Sequence, residues 1–405
     1  MLSHFSRLNA DIKVILFGIL LTNIGNYMLN PFLALYLNTF KGLDASQIGV
    51  VLMCSIISMQ GLSFLGGIIS DFVGTKKLLI LGLAIRIVGY VVYLASDRLV
   101  LFIISAVLVG IGAAIYAPAT KVIIYKSSGE LRKEVFALRS TLTNIGASIG
   151  PILGGFLYKA SFYFVFLSTI GVFIIYLCMV LIFVRDITIT EEENKNDQMP
   201  LWTFKTVLKD RKFLLMTMNG IGFWFLYNQF SLTVPLYVKD VGGTSDYIGF
   251  MFTFNGLLVV ILQYYLIKKT GNLLTESTIL LIGTLFMSFA FLCLTAFPGI
   301  VILLLFTFLF TLSEMLVVPT IDTITGDLAT ERTAGSYYGF ALLGAGIGGA
   351  LGNLIGGATY NWLNKQNELW IFWLILATFA LLISVLYKLF LSKKQLQTIV
   401  IKEDR

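Results

Sequence analysis

Five charged side chains lie inside long apolar runs of this 405-residue sequence: Arg86, Lys121, Arg139, Glu314 and Asp322. A charge at membrane depth costs at least about 2.5–3.5 kcal/mol on insertion scales, so each of the five calls for a partner, for water or for a function. The chemistry they offer is proton exchange at a carboxylate and attraction of an anion at a guanidinium. Little else is on offer. Cys54, Cys178 and Cys293 are far apart, and the only histidine is His4, near the N-terminus. No disulfide framework, metal site or cofactor is expected, and no nucleophile–base–orienter set can be assembled, so an enzyme is not expected either. An intramembrane carboxylate is then the natural proton carrier, because burial favours its neutral form and opening to water favours ionisation. Glu314, near the middle of its apolar run, is the best placed, with Asp322 next.

Pairing of these charges with one another, as packing or gating ion pairs, is the competing reading. It fits Lys121 and Asp322 best, since they occupy corresponding positions of an internal repeat near the cytoplasmic mouth, and we expect them to act as gate residues. Polar side chains add two stripes. Asn23, Asn26, Tyr27 and Asn30 are spaced i, i+3, i+4 and i+7, which places them on one helix face. Shifted by 201 residues, the same positions hold Trp224, Tyr227, Asn228 and Ser231. Such faces are costly against lipid, so they are expected to line a substrate cavity or to bond to neighbouring helices.

The elements that must carry these residues are membrane helices. The chain is 57% hydrophobic and only 13% charged, with a mean hydropathy of +0.88, against roughly a quarter charged in soluble domains. Twelve segments are long enough to span: 13–37, 47–70, 78–95, 99–125, 134–158, 161–184, 213–238, 246–267, 276–296, 299–325, 334–362 and 369–391. No small-residue cleavage site follows the first apolar run, so it is expected to stay as an uncleaved helix. The hydrophilic stretch 185–212 divides the chain into an N-terminal bundle, 1–184, and a C-terminal bundle with a short tail, 213–405. With the N-terminus inside, 21 Lys and Arg fall on the cytoplasmic side and five outside, so both termini are expected in the cytoplasm. The net charge of +7 is spread over these loops, which speaks against nucleic acid as a partner.

The halves repeat. Shifts of 200 to 202 residues bring Ile48-Gly49 onto Ile248-Gly249, Leu35-Tyr36 onto Leu236-Tyr237, Pro118 onto Pro319 and Gly154-Gly155 onto Gly356-Gly357. Two parallel six-helix repeats are a transporter architecture with substrate at the midplane. The expected fold is therefore all-α, with 12 transmembrane helices in two pseudo-symmetric bundles.

Short motifs carry a resemblance. After the second segment, Gly67, Asp71, Gly74, Lys76 and Leu79 match the pattern G-x-L-A-D-R-x-G-R-K-x-x-L found between helices two and three of the major facilitator superfamily; Phe72 and Thr75 stand where two basic residues are usual. In the fifth segment Gly146, Gly150, Pro151, Gly154 and Gly155 form a string similar to the antiporter motif G-x-x-x-G-P-x-x-G-G of that superfamily's drug:proton exchangers, with Ala137 where a glycine is usual. Glycines at i and i+4 also make a groove for a neighbouring helix. Gly110-Ile111-Gly112-Ala113-Ala114 is similar to the end of the fourth-helix motif, whose proton-coupling arginine is Ala106 here. Gly335 to Phe340, followed by Gly346 to Gly349, resembles the eleventh helix of 12-helix bacterial multidrug exporters.

The resemblance implies proton-coupled efflux of amphipathic small molecules across the cytoplasmic membrane, with Gly67, Asp71, Gly74 and Lys76 in gating. No Gly-Lys dipeptide occurs, so a P-loop is missing and a gradient is the expected energy source. A dedicated exporter of one endogenous metabolite, such as a siderophore or metallophore, is the alternative. The expected partners are a small-molecule substrate, protons and the bilayer, with the chain acting as a monomer.

Overall fold

The computed structural model describes residues 9–73, 75–127, 132–185, 207–296, 299–329 and 333–390. They form α1 (Ala10–Thr39), α2 (Ala45–Val73), α3 (Thr75–Ala95), α4 (Leu99–Ser127), α5 (Arg132–Ala160), α6 (Phe162–Phe183), α7 (Arg211–Tyr227), α8 (Thr233–Asp240), α9 (Ser245–Leu273), α10 (Glu276–Cys293), α11 (Ile300–Leu328), α12 (Ala334–Lys365) and α13 (Leu369–Phe390). A helix bonds its own backbone, which is what lipid demands of a spanning segment. Hydroxyls follow the same rule: Thr22, Thr169, Thr284, Thr307 and Thr320 each donate to the carbonyl four residues back.

Ten of the described helices are long and apolar enough to cross a membrane. The two remaining segments have physical reasons to fall short. Helix α5, 29 residues long, carries Arg132, Lys133, Glu134, Arg139 and Asn144, and is less apolar than those ten. The segment expected at 213–238 is not one helix. Helix α7 ends at Tyr227, a 3-10 turn spans Asn228–Phe230, and α8 begins at Thr233. Pro235, with no N–H to offer the Ser231 carbonyl, stands in the first turn of α8, where a helix tolerates proline.

Packing divides the chain into two units. Unit 1 comprises Met1–Gln198, Ser231–Gly256 and Asn353–Ala358, and unit 2 comprises Met199–Phe230, Leu257–Gly352 and Thr359–Arg405. In unit 1, α1 lies in a groove of α5. A Cβ at Gly146 would be 2.6 Å from the Asn23 Cβ, one at Gly150 would be 2.7 Å from the Tyr27 Cβ, and one at Gly154 would be 2.9 Å from the Phe32 ring. In unit 2, α7 lies against α12 in the same way. A Cβ at Gly344 would be 2.6 Å from Thr217, one at Gly348 would be 2.8 Å from the Trp224 Cβ, and one at Gly352 would be 3.0 Å from the Phe225 Cα. Gly348 and Trp224 correspond to Gly146 and Asn23 under the repeat, so each unit seats equivalent helices through equivalent glycines.

Aromatic rings fill the remaining space. Tyr36 stacks on Phe162 at 4.3 Å in unit 1, and Phe230 on Phe310 at 4.4 Å in unit 2. Ion pairs sit at helix ends: Lys41 with Asp97 at 2.5 Å and Lys159 with Asp246 at 3.0 Å, both within unit 1.

Candidate functional site

In unit 1 the central feature is Arg86, on α3 and only 6% exposed. Its Nη2 donates to Asn26 Oδ1 at 2.7 Å and to the Tyr90 hydroxyl at 2.8 Å, and its Nη1 donates to the Tyr116 hydroxyl at 3.2 Å. The guanidinium also faces the rings of Phe173, Tyr116 and Tyr90 at 4.8, 5.4 and 5.5 Å. Nε has no partner, and among the described residues no carboxylate forms an ion pair with this group. Dipoles and π-faces hold the charge in place of a counter-ion.

The stripe on α1 separates into two parts. Asn26 is drawn inward to Arg86, and it also accepts from Tyr90 at 3.1 Å. Asn23 returns its amide to the Ile19 carbonyl at 2.7 Å, whereas Tyr27 is 38% exposed and Asn30 is exposed. Arg139, on α5, is half-buried with a partnerless Nε. It lies within electrostatic range of Tyr116 and of Lys121, which is exposed on α4. Unit 1 therefore gathers three cations with no acid beside them in the described residues.

Unit 2 holds the acids. The Tyr227 hydroxyl, at the end of α7, donates to Glu314 Oε1 at 2.8 Å. Trp224 packs edge-on against Tyr227 at 5.1 Å, and the Phe310 ring lies 5.5 Å from that of Tyr227. Asn228 bonds back to the Trp224 carbonyl at 2.9 Å. The helix break thus sets Tyr227 at a terminus, against the middle of α11. Asp322 is exposed on the same helix.

The motif loop is described in part. Gly67 and Asp71 belong to α2, but the Asp71 side chain, like the whole of Gly74, falls outside the described residues. Lys76, in the first turn of α3, donates to the Leu181 carbonyl at 3.3 Å. Pro151 is buried within α5 beside the groove glycines, and Gly155 lies 3.6 Å from the Phe32 ring as measured from an added Cβ.

Three side chains escaped the reading of the sequence. Tyr90 stands four residues after Arg86, the spacing at which helix neighbours meet, and was legible there. Tyr116 was not, since nothing local ties α4 to Arg86. Gln229, fully buried at the helix break, donates to the Phe225 and Gly352 carbonyls at 3.0 and 2.8 Å. An amide inside an apolar run was its only signal. No group of three or more potential metal ligands occurs among the described residues.

Helices of spanning length, packed through glycines and carrying charged and aromatic clusters within the apolar layer, define an integral membrane transporter. The family model of the Major Facilitator Superfamily matches residues 15–275 and 248–403, and the chain belongs to that superfamily. Among its relatives, Multidrug resistance protein MdtH of Aeromonas salmonicida is 28% identical over 371 residues, covering 89% of this chain and 90% of that protein. MdtH of Photorhabdus laumondii is 27% identical, covering 91% of each. Among solved structures, the nucleoside transporter NupG aligns with a TM-score of 0.78 at 12% identity, covering 95% of this chain and 100% of that one. A POT family transporter in complex with 5-aminolevulinic acid aligns with a TM-score of 0.75 at 16% identity, covering 94% and 95%. These two establish a shared fold and nothing about substrate.

Proposed function

We propose that this protein exports amphipathic small molecules across the cytoplasmic membrane in exchange for protons, by alternating access. The observation that carries the reading is Glu314, a carboxylate in the middle of α11 held by the Tyr227 hydroxyl. The names of the relatives, multidrug resistance proteins along about nine-tenths of the chain, supply the substrate class. In this scheme the chain crosses the membrane twelve times with both termini cytoplasmic and works as a monomer. The repeats 1–184 and 213–405, joined by 185–212, are the bodies that rock.

Glu314 takes up and releases the coupling proton, with Asp322 as a second station. Tyr27 and Asn30, exposed on α1, and Trp224, Tyr227 and Asn228 present the substrate surface. Arg139 supplies positive charge there, with Arg86 held by Asn26, and Asn23 belongs to the same stripe. Two arginines against one glutamate favour substrates that bear both charge types. Gly67, Asp71, Gly74, Lys76, Lys121 and Asp322 govern switching between states.

Purified protein in liposomes with an imposed pH gradient tests this. Glu314→Gln should abolish gradient-driven accumulation while leaving counterflow exchange measurable. Undiminished uphill transport in that variant would remove Glu314 from the mechanism. A dedicated metabolite exporter is less favoured by relatives that bear multidrug names; it would take over if only one of many unrelated compounds were moved.

A further inference from the structure

One end of unit 1 is closed by two seams at equivalent positions of the sequence. Gly49 of α2 meets Gly357 of α12, and Gly155 of α5 meets Gly249 of α9. A shift of 200 residues places Gly49 on Gly249, and one of 202 places Gly155 on Gly357. In the same unit Lys239 of α8 donates to the Asn38 side chain of α1 at 2.5 Å. These two correspond under the shift of 201, and equivalent residues that touch lie at the axis relating the repeats, so their bond favours neither seam.

Equivalent positions are nevertheless packed differently. In the α2–α12 seam backbone meets backbone: a Cβ at Gly49 would lie 2.2 Å from the Asn353 carbonyl oxygen, and one at Gly357 would lie 2.4 Å from that of Ala45. In the α5–α9 seam a Cβ at Gly155 would lie 3.6 Å from the Gly249 Cα, and one at Gly249 would lie 3.7 Å from the Gly155 Cα. Carbon atoms settle at about 3.5–4.0 Å, so the first seam has no room for a methyl group and the second has. The ring of Phe32, fully buried on α1, reaches into the looser seam, 3.6 and 3.9 Å from the same two added Cβ atoms. Its repeat position holds the smaller Thr233.

The seams also differ in charge. Beside Gly155 and Gly249, Lys159 Nζ pairs with Asp246 at 3.0 Å, with the two side chains 59% and 36% exposed. The repeat puts Asn361 and Ser46 at those positions in the α2–α12 seam, where no ion pair can form between them. Lys159 is in the last turn of α5 and Asp246 in the first turn of α9, so each charge suits its own helix dipole. Separating the two therefore strands neither, since the dipoles and water receive them.

We propose that the α5–α9 seam is the side that parts when this end of the protein opens, with Lys159 and Asp246 as its latch, and that the α2–α12 seam is the hinge. The backbone contacts of the hinge have no side chain to rotate away and no water to replace them. The latch is weak by design: an exposed ion pair biases an equilibrium by up to about fivefold, enough to favour closure and too little to prevent opening. Its part in transport rests on the alternating-access reading; the inequality of the seams does not.

The test uses full-length protein in nanodiscs, with Cys54, Cys178 and Cys293 replaced by Ser and spin labels on introduced cysteine pairs. Phe156→Cys with Phe250→Cys reports on the α5–α9 seam. Ala358→Cys with Val50→Cys, at the repeat positions, reports on the α2–α12 seam. Electron–electron double resonance gives the distance distribution of each pair. Asp246→Asn should enlarge the long-distance population of the first pair by up to about fivefold and leave the second unchanged. Salt at about 1 M, where the Debye length falls to about 3 Å, should act in the same direction. Lys159→Gln should match Asp246→Asn, and the double variant should exceed neither, because the two residues act as one contact. Asp246→Glu, which keeps the charge, should retain the wild-type distribution.

Four results would overturn the proposal: equal lengthening of both pairs, lengthening of the second alone, indifference of the first to loss of either charge, and additive effects of the two charge removals. No transport is measured. A protein that pumps nothing could still show one seam parting, and one that exports against a gradient while both seams part equally would defeat this inference alone.

Discussion

Replacing one glycine by alanine should have opposite effects at two places on these helices. At Gly150 the new Cβ would lie 2.7 Å from the Tyr27 Cβ, 2.8 Å from the Ile24 carbonyl oxygen and 2.9 Å from the Met28 nitrogen. Carbon contacts settle at about 3.5–4.0 Å, so the gap must widen by about 1 Å. Two of the three obstacles are α1 backbone atoms, which cannot rotate away as a side-chain tip would. Helix α1 must move as a whole, and overpacking of this kind costs about 1–3 kcal/mol. A gap of about 1 Å also forfeits up to half of the dispersion energy of the contacts it opens. Alanine's better helix propensity returns about 1 kcal/mol at most, so strain wins and Gly150→Ala should destabilise by about 1–2 kcal/mol net. At Gly339, on α12, an added Cβ meets nothing within 4 Å. Only the propensity gain acts there, and Gly339→Ala should stabilise by up to about 1 kcal/mol. Gly352→Ala should reproduce the loss in unit 2, with the Phe225 backbone as the obstacle. Thermal denaturation of detergent-solubilised protein, read as the fraction remaining monodisperse after heating, would rank the variants. Gly150→Ala surviving as well as Gly339→Ala would refute the argument. Adding Gly146→Ala to Gly150→Ala should cost less than the sum of the two, because α1 will already have shifted.

Arg86→Lys should be more destabilising than Arg86→Met in the same assay. The ammonium cannot reach Asn26, Tyr90 and Tyr116 together yet stays costly to bury, whereas methionine removes the charge along with its partners; the reverse ranking would mean that the pocket requires a cation. Asp210→Ala should cost about 1–2 kcal/mol, since Asp210 accepts from the Lys212 and Phe213 nitrogens at 3.0 Å as the N-cap of α7 and from the Tyr337 hydroxyl at 2.9 Å. Tyr337→Phe should recover most of that stability, and an equal loss in both would assign the effect to the tyrosine. Burial pulls the Lys41 ammonium down, but its hydrogen bond to Asp97 and the nearby Tyr36 outweigh this and hold its pKa above the ordinary lysine value. The stabilisation is therefore present below about pH 10.4, the unfolded value, and is lost as pH rises through the folded one. Lys41→Met should differ most from wild type at neutral pH and converge with it in strong alkali; a constant difference would point to lost packing of the lysine stem.

Sequence alone determined that the chain belongs in a bilayer, and it led to the expectation that its halves repeat. Both follow from properties that neighbouring residues carry without a partner: hydropathy over about twenty positions, and matched residues at a constant offset. The Gly-x-x-x-Gly spacing in α5 was also sufficient to say that some helix approaches closely. Which helix approaches was decided by tertiary structure, because a glycine offers space to any neighbour and only the packing of unit 1 brings Ile24, Tyr27 and Met28 there. The same holds for the charges. From sequence, Arg86 has only Tyr90, four residues on, as a local partner, and Glu314 has none. In the folded chain Arg86 is held by Asn26, 60 residues away, and by Tyr116, 30 residues away, while Glu314 accepts from Tyr227, 87 residues away. Helix rotation sets those pairs, and hydropathy is blind to rotation when a helix is apolar all round. Composition also hid the break after Tyr227, since Pro235 sits in an apolar run of spanning length.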